Sequence, residues 1–119
     1  MVITGGSSGL GLALAQACVA RGDTVAILAR DAAKLDSAAA SLRAVRSNAK
    51  VLTAAVDVQD AEALAQTFSR LAQDMGSIDM LVNSAGVLRE GYFDTLPASA
   101  HREVMAINYF GALNAIHAA

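Results

Sequence analysis

The run Thr4-Gly5-Gly6-Ser7-Ser8-Gly9-Leu10-Gly11 follows an apolar stretch, Met1 to Thr4, and opens a helical pattern. Glycine is needed where φ turns positive and where backbone must pass close to other backbone or to a ligand. A helix that starts on such a turn points unpaired N–H groups and the positive end of its dipole at one place. That place is an anion site suited to phosphate. Ser7 and Ser8 add hydroxyl donors. A glycine-rich turn without a ligand is the plainer alternative; the strand before and the helix after weigh against it and favour dinucleotide binding.

The same strand-then-helix order recurs along the chain. Further β-type runs cover Thr24 to Ala29, Lys50 to Val56 and Asp79 to Asn83. They are nearly continuous rather than alternating, as parallel strands buried on both faces read. Between them Leu10, Ala13, Leu14, Ala17 and Cys18 keep helical spacing, and so do Leu35, Ala38, Ala39 and Leu42. Ala61, Leu64, Ala65, Phe68, Leu71, Ala72 and Met75 give the cleanest stripe. Asp31 and Asp60 stand at N-cap positions, and Gly22 and Gly76 stand where the first and third helices should stop.

This order predicts one α/β domain over residues 1–119, a Rossmann-type doubly wound parallel sheet with helices on both faces. The closing segment from Ala98 to Ala119 reads as one long helix, with Thr95 and Pro97 near its start. Val104, Met105, Ile107, Tyr109, Phe110, Leu113 and Ile116 spread around most of its circumference. Such a helix needs cover on more than one side, from the sheet and from further chain or another subunit.

Composition removes several classes of protein. The chain is 55% hydrophobic and 17% charged, which excludes a disordered segment. No uninterrupted apolar stretch approaches the roughly 18 residues of a spanning helix, and no signal-peptide pattern opens the chain. Nine basic and eleven acidic residues, net −2, leave no footprint for nucleic acid or for a polybasic membrane patch. Cys18 alone excludes an internal disulfide framework, and with only two histidines no metal site is expected. A reducing, cytoplasmic setting is the default expectation.

About 20 residues beyond the glycine run, the end of the second strand should report which dinucleotide is read. It reads Leu28-Ala29-Arg30-Asp31. Arg30 can hold a 2′-phosphate through charge-assisted bonds. Lys34, in the first turn of the next helix, opposes the helix dipole unless a phosphate lies near. These residues favour NADPH over NADH; a solvated Arg30 and Lys34, or Asp31 reaching a ribose instead of capping, are the alternatives. Asp57 and Val58 follow the third strand, and Asn83-Ser84-Ala85-Gly86 ends the fourth. Asp57 either forms a turn or joins the site, and Asn83 either anchors a loop or joins it. Asn108, polar within an apolar helix, is a satisfied structural amide or part of a site.

Together these motifs resemble the short-chain dehydrogenase/reductase family. Its Thr-Gly-x-x-x-Gly-x-Gly fingerprint is matched by Thr4, Gly5, Gly9 and Gly11, and its Asn-Asn-Ala-Gly motif by Asn83, Ser84, Ala85 and Gly86. Its helix-borne asparagine is matched by Asn108 within Met105 to Gly111. Within the family the nearest resemblance is to the 3-ketodihydrosphingosine reductases. The resemblance implies that Gly5, Ser7, Ser8, Gly9, Leu10, Gly11, Arg30, Lys34, Asp57 and Val58 contact NADPH. Asn83, Ala85 and Gly86 would line the adenosine side, and Asn108 would support the proton relay without touching substrate.

Departures from the family pattern are specific. Ser84 replaces the second asparagine. No serine and Tyr-x-x-x-Lys pair matches the family's catalytic residues, because Leu96 stands four residues after Tyr92 and Leu113 four after Tyr109. Ser99 and His101 belong to a helix start. The chain is therefore expected to be the cofactor-binding half of a reductase, cut at both ends and truncated after the helix following the fourth strand. A homodimer or homotetramer is implied for the full-length protein. The leading function is NADPH-dependent reduction of a ketone, with a small-molecule carbonyl of lipid-like character as substrate. Reduction of 3-oxoacyl thioesters, general alcohol dehydrogenation, NADPH binding without chemistry and a purely structural role are the alternatives.

Overall fold

Each apolar run becomes a strand, trimmed by one or two residues at its ends. The computed structural model describes residues 1–119. In chain order it contains β1 (Val2–Thr4), α1 (Gly9–Arg21), β2 (Val25–Ala29), α2 (Ala32–Val45), β3 (Val51–Ala55), α3 (Ala61–Met75) and β4 (Leu81–Asn83). The strands are all parallel, in the order β3-β2-β1-β4. Val2 is in register with Ala26 on one side and Leu81 on the other.

The two-residue period of the strands divides the interior into two cores. Val2, Ala26 and Leu28 face α3, where they meet Leu64, Phe68 and Leu71. Ile3, Val25 and Ile27 face α1 and α2, where they meet Ala15, Val19, Leu35 and Leu42. β1 and most of β2 are buried on both faces, whereas the outer strands β3 and β4 are only partly covered.

The helix ends form as their residues dictate. Asp31 accepts from the Lys34 N–H at 3.0 Å and Asp60 from the Ala63 N–H at 2.9 Å. Gly22, at φ 99°, closes α1 with its N–H on the Cys18 and Val19 carbonyls; Gly76 closes α3 on Ala72. The α2 stripe is buried as expected.

Two stripes need correcting. In α1 the buried residues are Gly11, Ala15, Cys18 and Val19, while Leu10, Ala13, Leu14 and Ala17 are exposed. The cause is Gly11: a Cβ there would lie 2.5 Å from the Gly5 carbonyl oxygen, so this face of the helix is pressed against the turn. In α3, Ala61 and Ala65 are exposed and Thr67 is buried in the stripe.

The closing segment also differs from one uniform α-helix. It runs as α4 (Ala98–Val104), a π-helical stretch Met105–Phe110, and α5 (Gly111–Ala118). Pro97 occupies the position just before α4, near the start as the sequence predicts. A π turn holds an extra residue and rotates the succeeding turns away from the 3.6-residue period. After it, Gly111 and Ala115 are buried, with Val58 packed where a Gly111 Cβ would be. Met105, Tyr109, Phe110 and Ile116 are about half exposed, so one side of this segment has no cover within the chain. No helix is long and apolar enough to cross a membrane.

Candidate functional site

The carboxyl ends of the four strands frame a cleft of ≈ 420 Å³. Gly5 and Ser7 to Leu10 come from the turn after β1, and Ser84 to Val87 from the segment after β4. Ala29, Arg30, Asp31 and Lys34 enter from β2 and α2, Val56 and Val58 from beyond β3, and Ile107 from the π-helical stretch. β1 connects outward to β2 while β4 lies on its other flank. The cleft therefore opens where the strand order reverses, the place where open α/β sheets bind ligands.

Thr4, only 1% exposed, ties the two sides of this opening together. Its hydroxyl oxygen accepts from the Ser84 and Ala85 N–H groups, both at 3.3 Å, and lies 3.5 Å from Asn83 Oδ1. Gly5, at φ 69°, permits the close approach, since a Cβ there would be 2.6 Å from the Ala85 nitrogen. Asn83 thus lies at the seam, and Ala85 and Gly86 line the cleft beside it.

The start of α1 is open to an anion. Ser8 has extended backbone and its side chain makes no cap bond; the first turn contains no acidic residue. Gly9 has φ 53° and a Cβ there would meet nothing within 4 Å, leaving the space before the helix clear. Ser7 and Leu10 line that space, whereas Gly11 packs on Gly5 and is absent from the lining.

At the second and third strand ends, charges meet in pairs. Arg30 Nη1 lies 3.9 Å from Asp57 Oδ2, and Lys34 Nζ lies 4.0 Å from Asp31 Oδ2. Asp31 caps α2 through Oδ1, while its Oδ2 stays at the cleft beside Lys34. Asp57 forms a turn, its Oδ1 accepting from the Gln59 N–H at 3.0 Å. Val58 lines the cleft and its carbonyl accepts from Asn114 Nδ2 at 2.9 Å.

Asn108 is exposed, and it is satisfied. Its Oδ1 accepts from the Val87 N–H at 2.8 Å and its Nδ2 donates to the Val87 carbonyl at 2.9 Å. Two residues on, Arg89 makes a two-pronged contact to Glu103 at 2.9 and 2.7 Å. The segment after β4 is thereby latched to the helix beneath it. His101, within α4 as the sequence predicts, packs its ring against Phe93, tilted by 42° with centroids 5.3 Å apart.

Several lining residues are not among those expected from the sequence: Leu28, Ala29, Val56, Ser84, Val87 and Ile107. Ser84 belongs to the matched Asn-Asn-Ala-Gly motif; the signal for the others is position at a strand end or beside Asn108. The Arg89–Glu103 contact has no signal short of the fold.

The donor set suits the phosphates of a dinucleotide: helix N–H groups, two hydroxyls and two cations around a space that glycine keeps clear. Fold and cleft together define a Rossmann-type nucleotide-binding domain. The family profile described as short chain dehydrogenase matches residues 1–119, and the chain belongs to that family.

Among its relatives is 3-ketodihydrosphingosine reductase of Mus musculus, 36% identical over 116 residues, covering 95% of this chain and 35% of the relative. The 2,3-dihydro-2,3-dihydroxybenzoate dehydrogenase of Bacillus subtilis (strain 168) is 34% identical over 113 residues, covering 95% and 42%. Two solved structures superpose closely. NAD+-bound xylitol dehydrogenase gives a TM-score of 0.89 at 30% identity, covering 98% of this chain and 45% of that one. An alcohol dehydrogenase from the archaeon Thermococcus sibiricus, complexed with 5-hydroxy-NADP, gives 0.90 at 27%, covering 98% and 49%. The chain thus spans about a third to a half of the length of these proteins.

Proposed function

We propose that this chain is the cofactor-binding part of an NADPH-dependent reductase acting on a ketone, with a lipid-like substrate such as a 3-keto sphingoid base. The observation that carries the cofactor reading is the cleft itself, with the open start of α1 at one end and Arg30 and Lys34 at the other. The likeness to 3-ketodihydrosphingosine reductase supports the substrate class.

In this reading the N–H groups at the start of α1, with Ser7 and Ser8, hold the pyrophosphate, and Gly9 gives it room. Arg30 and Lys34 hold the 2′-phosphate. Ala85 and Gly86 flank the adenosine side, while Asn108 keeps that wall in place through Val87. A nicotinamide cofactor held there would supply the hydride for the carbonyl carbon. The 119 residues contain no Tyr-x-x-x-Lys pair, so the proton for the carbonyl oxygen comes from other residues. The uncovered face of Met105 to Ile116 suits the homodimer or homotetramer expected of the full-length protein, in the cytoplasm.

Calorimetric titration with NADPH and NADH tests the cofactor reading. NADPH should bind more tightly. Arg30→Ala should weaken NADPH by about 1.5 to 3 kcal/mol, the cost of losing a charged hydrogen-bonding group, and NADH far less. Equal losses for the two would overturn the assignment of Arg30 to the 2′-phosphate.

A further inference from the structure

Arg30 and Asp57 face each other from neighbouring strand ends, and they are unequally held. The 3.9 Å between Nη1 and Oδ2 is an ion pair without a hydrogen bond. Asp57 is anchored: Oδ1 accepts from the Gln59 N–H at 3.0 Å, and Gln59 Nε2 approaches both carboxylate oxygens, at 3.4 and 3.3 Å. Arg30 makes no side-chain hydrogen bond and is 57% exposed. The carboxylate is the fixed member of the pair and the guanidinium the movable one.

The charge around this end of the cleft also balances. Arg30 and Lys34 are matched by Asp57 and Asp31. A pocket built only to attract a phosphate would carry surplus positive charge. Asp31 is committed to the α2 cap, through the Lys34 N–H. Asp57 is the acid that opposes Arg30 directly.

We infer that Asp57 is a specificity-determining residue, one that competes with the cofactor's 2′-phosphate for Arg30 and holds down the preference for NADPH over NADH. The inference rests on the reading of Arg30 under the proposed function. A phosphate monoester carries about −1.5 to −2 charges near neutral pH. A phosphate that engages the free donors of Arg30 comes within range of the Asp57 carboxylate 3.9 Å beyond them, where like charges repel. A cofactor with a neutral 2′-hydroxyl meets no such repulsion.

Asp57→Asn removes the charge and keeps an amide oxygen for the Gln59 N–H. With each dinucleotide titrated at low and at high salt, the ratio of NADPH to NADH affinity should rise about three- to tenfold at low salt and fall back as salt screens the charges. Arg30→Ala in the Asp57→Asn background should abolish the rise. A ratio that is unchanged or lowered by Asp57→Asn, in a protein that binds both dinucleotides, overturns the role of Asp57 and leaves the cofactor site intact. Failure of the unaltered protein to bind either dinucleotide overturns the cofactor site, and this role with it.

Discussion

Gly5 and Gly9 share a positive φ and differ in their surroundings. A Cβ on Gly5 would lie 2.6 Å from backbone nitrogen of Ala85, whereas one on Gly9 would meet nothing within 4 Å. Gly9→Ala should therefore cost only the left-handed conformation, about 1–2 kcal/mol. Gly5→Ala should cost more, because the segment after β4 must also move. Urea denaturation of the two variants checks the order, and equal midpoints would mean that the β1–β4 seam yields easily. The spacing of the glycines was legible in the sequence because it serves a local turn. Which glycine bears the seam was not, since its partner lies in the segment after β4. The place of Arg30 at the cleft was legible because it directly follows β2; its pairing with Asp57 depends on strand order.

At the scale of elements, the amphipathic period located every helix yet misjudged the rotation of α1. Four small or apolar residues, Leu10, Ala13, Leu14 and Ala17, made a stripe that the structure leaves in solvent. A single close approach at Gly11 outweighs them. Alanine weakens such readings, because an alanine-rich helix looks apolar from many sides. Asp31, Asp60, Gly22 and Gly76 stand at the ends of their helices as the sequence predicts, since a cap acts within its own turn. The π-helical stretch has no periodic signature in the sequence, and it carries Asn108. Asn108→Ala should free the Val87 amide. Hydrogen exchange at Val87 should then be about two- to tenfold faster, as a net bond of about 0.5 to 1.5 kcal/mol implies. Unaltered exchange there would show that Val87 is held by something other than Asn108.

The whole molecule measures 51 × 26 × 21 Å, with a radius of gyration of 14.9 Å. A closed domain of this length would give about 13.5 Å. Leu88, Tyr92 and Phe93 are at least 72% exposed, and Met105, Tyr109, Phe110 and Ile116 about half so. Apolar surface on this scale favours association. Sedimentation of the chain should show a mass that grows with concentration, and Tyr109→Glu with Phe110→Glu should shift it toward monomer. A monomer at all concentrations would mean that this face needs no partner. The need for cover was legible from apolar residues all round one helix; which of them stay bare was not, because the π turn resets the face.

Strand order also dictates when the cleft can exist during synthesis. The Thr4 hydroxyl and Asn83 meet across 79 residues, so β1 waits for its second neighbour until β2, β3 and all three helices between have left the ribosome. Such distant pairing is slow to find and late to form. A half-made chain can already stack β1, β2 and β3, but it has only one wall of the cleft. Competence to bind a dinucleotide should then arrive at one late moment, marking completion of the β1–β4 seam.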